Sequence, residues 1–252
     1  MKKLAMAVLT LAMVITPFMA RGDEITIAAD QWCPYNCDPA SDLPGYFVEI
    51  ADVIFKNQGH SVKYVVLDWE TAIKEARNGK YTGIIGAMKE DAPDFIYPEY
   101  ELGVSENHFF VNKGDPWRYA GIESLKGKRV GVIEGYAYGE TLDKFFKDNP
   151  NVQFTPGEDA LDKNFEKLLS KQIDVLVEDQ NVFMLKAMTL HILSQIIDGG
   201  DTGKDDKLYI AFSPAHAQSK AYARILSDGI QEMRKNGKFS VILDKYGLKD
   251  WR

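Results

Sequence analysis

Two cysteines, a tryptophan and a tyrosine share one short stretch, Asp30-Gln31-Trp32-Cys33-Pro34-Tyr35-Asn36-Cys37. Each type offers a different chemistry. Cys33 and Cys37 are four positions apart in one turn. In an oxidising compartment they pair as a local disulfide, which closes only a small loop and stiffens the turn more than it stabilises the whole chain. The other reading is a redox pair, since Trp32-Cys33 is similar to the start of a thioredoxin-type site. Against it, three residues separate the cysteines and no helix starts at the first. Trp32 and Tyr35 offer large flat faces to a ligand, or ordinary core packing, and Trp32 is expected to be partly exposed. A metal centre has little support, because His60, His108, His191 and His216 lie far apart with no ligand spacing. Nothing in the sequence points to a cofactor.

These aromatics need elements to hold them. Ile25–Ala29 reads as an apolar strand, and Pro44-Gly45-Tyr46 opens a helix carrying Glu49. Ser61–Leu67 alternates as a strand, Asp68 is a natural N-cap for a helix from Trp69 to about Asn78, and Tyr81–Ala87 returns as a strand. This β-α-β-α-β order favours a parallel sheet covered by helices. After an extended segment near 103–113 and a connection at 116–127, the pattern repeats. Strands are expected at 129–134, 152–155 and 173–177, the last ending at Glu178-Asp179. Helices are expected at 140–148, 161–170 and 180–190. Residues 198–206, rich in Gly and Asp, read as a loop before a strand at 208–212. Helices at about 220–236 and 239–246 close the chain. The expected architecture is α/β, with two lobes joined by extended hinge crossovers and a ligand cleft between them. Lobe 1 is assigned to 23–108 and 212–252, lobe 2 to 109–211. In open α/β sheets ligands sit beyond the carboxyl ends of the strands, so the cleft is the expected site.

The chain has 252 residues and a formal net charge of −7. Residues 1–22 read as a signal peptide: Lys2 and Lys3, an apolar run over Leu4–Ala20, then small residues at Ala20 and Gly22. Cleavage after Gly22 would remove Lys2, Lys3 and Arg21 and leave a charge of −10. Such an acidic surface argues against nucleic acid or an anionic membrane as partner. The mature chain is expected to be a periplasmic monomer.

Several short pieces recur in one order. They are Gly45-Tyr46-Phe47-Val48-Glu49-Ile50-Ala51, Trp69, and Asp94-Phe95-Ile96-Tyr97-Pro98. They continue with Leu125 to Val132, Ile173 to Asp179, and the ending from Asn236-Gly237-Lys238-Phe239 to Lys245-Tyr246-Gly247. In this order and spacing the chain resembles the family 3 extracellular solute-binding proteins, the periplasmic receptors of polar amino-acid ABC transporters. The resemblance implies a non-enzymatic receptor whose small polar, amino-acid-like ligand is passed to a membrane permease or read by a sensor. It implies that Trp32 and Tyr35 sandwich the ligand and that Asp179 binds its amino group, a carboxylate–ammonium pairing. Asp179 also suits the N-cap of the helix that follows.

Two departures stand out. Where the family carries a hydroxyl residue and then an Arg that grips the ligand carboxylate, this chain has Gly86-Ala87-Met88-Lys89. Lys89 sits at the Arg position but lacks the planar fork; solvation beside Glu90 and Asp91 is the other reading. Where the family has a small hydroxyl residue in lobe 2, this chain has Gly135-Tyr136-Ala137-Tyr138-Gly139. The N–H groups of that turn could still hold an anion, while Tyr136 or Tyr138 fills the space or hydrogen-bonds. A standard α-amino acid is therefore in doubt as ligand. Some relatives resemble cyclohexadienyl dehydratases, for which Glu49, Glu99 or Glu178 could be proposed as general acid, although none lies in a catalytic motif.

Overall fold

The computed structural model describes residues 22–252. The signal-peptide segment, apart from Gly22, lies outside the described residues. β1 (Glu24–Ala29), α1 (Tyr46–Lys56), β2 (Ser61–Val66), α2 (Trp69–Arg77) and β3 (Gly83–Ala87) come first. β4 (Gly103–Asn112) leads through a 3-10 turn at Ile122–Leu125 to β5 (Val130–Ile133), α3 (Glu140–Asp148), β6 (Val152–Thr155) and α4 (Ala160–Leu169). Then follow β7 (Val175–Asp179), α5 (Gln180–Thr189), β8 (Ile196–Phe212), α6 (Ser219–Lys235) and α7 (Lys238–Lys245).

The strands form one eight-stranded order, β2-β1-β3-β8-β4-β7-β5-β6. Each half has the same plan. β1 pairs in parallel with β2 and β3, and β5 pairs in parallel with β6 and β7. β4 and β8 run antiparallel to each other in the middle, β8 pairing onward with β3 and β4 onward with β7. The chain thus leaves the first half along β4 and returns along β8. One apolar cluster packs α1, α2, α6 and α7 around β1 and β3. Two smaller clusters cover the opposite faces of β4 and β7, one of them also taking in β5. The closing helices therefore pack on the first half, as the sequence implied. Gly229 of α6 permits this approach, because a Cβ there would stand 2.5 Å from Ile54 of α1.

Residues 198–206 differ from expectation. They are strand, part of the 17-residue β8. Their Gly and Asp content marks local bonds, Asp198 accepting from Gly200 N–H and Asp201 from Gly203 N–H. The backbone nevertheless pairs with β4, with register shifts around His108 that absorb the irregularity. Composition read as a loop because one edge of this strand faces solvent, where a partner strand and not side-chain burial decides the conformation.

Candidate functional site

The parallel strands deliver their carboxyl ends to one place. β1 runs out into Asp30 and the Trp32 turn, β3 into Met88 and Asp91, β5 into Tyr136, and β7 into Glu178 and Asp179. All of these line one cavity between the halves, together with Asn36, Trp69, Gly86 and Ala137. It encloses about 40 Å³, against roughly 10–15 Å³ needed to hold one water.

The first wall is the turn after β1. Trp32 N–H donates to Asn36 O at 2.8 Å, and Tyr35 and Asn36 N–H donate back to Trp32 O. Cys33 and Cys37 are disulfide-bonded across this turn, the brace expected of them. Gly45, at φ 104°, starts α1 so close behind it that a Cβ would lie 2.5 Å from Tyr35 O. Trp32 is buried (8% exposed), contrary to the partial exposure expected. Its ring stacks on Tyr35 at 4.4 Å between centroids, and its Nε1–H donates to Glu178 Oε1 at 2.9 Å across the cleft. An indole donor facing an opposing carboxylate removes the reason for it to meet solvent.

The second wall belongs to the other half. Asp179 caps α5, its Oδ1 accepting from Asn181 and Val182 N–H at 2.8 and 3.0 Å, while Oδ2 lies 3.0 Å from Tyr35 Oη. Tyr35 Oη also lies 2.9 Å from Val104 O, and its single proton can serve only one of these acceptors at a time. Tyr136 reaches across to donate to Asp30 Oδ2, its ring edge-on to Trp32 and Trp69 at 6.4 and 6.3 Å. Tyr138 also lines the cavity, while its Oη accepts from Ile133 N–H of its own half at 2.8 Å. Asp91 stands beside this turn in the cavity lining and accepts from Met88 N–H at 2.7 Å.

Burial dominates the titration of these acids. It raises Glu178 to about 8, against bonds from Trp32 and Asp179 N–H that favour the charged form. Burial raises Asp91 to about 7 and Asp30 to about 6, and it also pushes Asp179 up. Each charge is short of water and has no cationic side chain beside it.

Of the residues singled out in the sequence, Trp32, Gly86, Tyr136, Ala137, Tyr138 and Asp179 line the cavity. Tyr35 stands one layer behind, fully buried, backing Trp32 and touching Asp179. Ala87 is buried in β3, paired with Tyr209. Lys89 is exposed, its ammonium 5.4 Å from the Tyr209 ring centre and away from the cavity lining. The strand end turns it outward, so it takes the solvated reading. Sequence reasoning missed Asp30, Asn36 and Asp91. The available signal was position: polar residues at or just beyond the carboxyl ends of β1 and β3. Of the three glutamates weighed for an acid role, only Glu178 faces the cavity. Glu49 bonds Lys245 and Tyr246, and Glu99 is exposed. Elsewhere, Glu106, His108 and Asp201 bring ligand atoms within 4.8 Å of one another. His108 Nδ1 lies 2.8 Å from Asp198 Oδ2, which ties β4 to β8, while its Nε2, 3.5 Å from Glu106, has no hydrogen-bond partner.

Two α/β halves with a polar cavity at their facing strand ends define the two-lobed binding-protein class. The sequence profile of the bacterial extracellular solute-binding proteins, family 3, matches residues 25–249, and the chain belongs to that family. It is similar to a probable histidine-binding protein of Campylobacter jejuni, at 25% identity over 88% of this chain and 83% of that protein. Among solved structures, a histidine-bound substrate-binding protein of an ABC uptake transporter from Streptococcus pneumoniae is similar at TM-score 0.75. It is 16% identical and covers 90% of this chain and 93% of its own. An ancestral arginine-binding protein bound to arginine gives 0.71 at 22% identity, over 88% and 97%. A histidine kinase sensor domain gives 0.73 at 19%, over 90% and 96%.

Proposed function

We propose that this chain is a periplasmic receptor that captures a small polar, amino-acid-like solute between its halves. Closure around the solute is then read by an ABC-type permease. The observation that carries this reading is the set of side-chain bonds across the cavity: Trp32 to Glu178, Tyr35 to Asp179 and Tyr136 to Asp30. They join the two halves only when the cleft is shut, so a solute bridging the same groups shifts the population toward the closed form. No covalent step is required, and the family is one of binding proteins. No helix among the described residues is long and apolar enough to cross a membrane. The relatives named above support an amino-acid-like solute. Calorimetric titration against amino acids, amines and small carboxylates tests the reading. Saturable binding of one class is expected, and a folded protein that binds none of them contradicts it.

A further inference from the structure

The cavity is one-sided in charge. Asp30, Asp91, Glu178 and Asp179 line it, and among the described residues no Lys, Arg or His does. One acceptor is also left over. Asn36 is 1% exposed and lines the cavity, and its Oδ1 has no hydrogen-bond partner. Its amide orientation is fixed, because Nδ2 donates to Asp30 O at 2.6 Å and a carbonyl can only accept. Gly86, at φ 87°, leaves the approach to that oxygen open, since a Cβ would stand 3.2 Å from it. One backbone donor of the lining that could receive an anion is already engaged, Met88 N–H serving Asp91 at 2.7 Å. What this surface lacks is a positively charged donor.

We propose that the ligand is a small primary amine without a carboxylate. The inference rests on the receptor reading above and names the chemistry of its solute. An ammonium group supplies three N–H donors and one positive charge to Asn36 Oδ1 and the surrounding carboxylates, with Trp32 and Trp69 as aromatic neighbours. A zwitterionic amino acid would bring a further anion into a site with no cationic side chain to meet it, and a buried unpaired charge is strongly disfavoured.

The test titrates the full mature protein with matched pairs: ethylamine and alanine, ethanolamine and serine, histamine and histidine, agmatine and arginine. At least one amine is expected to bind about tenfold or more tightly than its parent amino acid, about 1.4 kcal/mol. Parents that bind as tightly as their amines, or more tightly, overturn the inference and leave the receptor reading intact. Absence of binding to either set, with native circular dichroism, overturns both. Glu178→Gln, close in shape, is expected to weaken the amine about tenfold, and an unchanged affinity counts against the proposal.

Discussion

The two walls of the cleft are built differently. The wall after β1 is held from within, by backbone bonds between Trp32 and Asn36, by the Cys33–Cys37 bridge, and by Asn36 Nδ2 bonded to Asp30 O and Tyr64 Oη. The wall after β5 has little such support at Tyr136, whose N–H reaches Ile133 O only at 3.5 Å and whose hydroxyl depends on Asp30 of the other half. The first wall is a platform and the second a latch. This division lets a receptor keep its recognition geometry while the halves separate, because the bonds lost on opening are the ones between walls.

The sharpest way to break that division is Asp179→Ala, which strikes both a cap and a cross-cleft partner. Loss of the α5 cap alone costs about 1 kcal/mol, and ligand affinity is expected to fall by a larger factor than for any other single substitution in the cleft. Thermal denaturation and calorimetry read the two effects separately.

A pH series comes next. Glu178 is raised from 4.5 to about 8 in the folded protein, so between those values the native state binds a proton that the unfolded chain has released. Stability is therefore fullest below the unfolded value and is lost as pH rises through the folded one. The ligand-free protein is expected to melt at a lower temperature at pH 8 than at pH 5.5, with a smaller drop in Glu178→Gln. A cationic ligand favours the ionised form, so its affinity should rise over the same interval.

Tyr136→Phe sharpens the comparison from the latch side. It removes one cross-cleft bond, leaves the ring, and is expected to lower the melting temperature by no more than a few degrees, since one hydrogen bond is worth about 1 kcal/mol. The smallest effect is expected from Cys33→Ser with Cys37→Ser. So short a loop confers little global stability, and the change should appear as weaker ligand binding with a nearly unchanged melting temperature.

The platform was far more legible in the sequence than the latch. β1, the Gly45-started helix, Asp68 as the cap of α2 and Asp179 as the cap of α5 all follow from local rules, and the structure has them. The halves and their parallel pairing followed from the repeated β-α order. What local rules could not give was partnership across the cleft. That Trp32 is buried against Glu178 and that Tyr136 reaches Asp30 depend on two segments distant in sequence meeting at one point. The 198–206 part of β8 escaped for a related reason, since its strand conformation comes from pairing with β4, whereas the strand at 208–212 was legible.

The central claim is that the halves close around a small solute through these cross-cleft groups. Pulsed electron-spin distance measurement between labels at Lys63→Cys and Lys147→Cys, on exposed positions of opposite halves, tests it most directly. A bound solute is expected to narrow the distance distribution onto the closed geometry, and Tyr136→Phe to lengthen and broaden it in the free protein. A distribution that ignores both ligand and latch would contradict it.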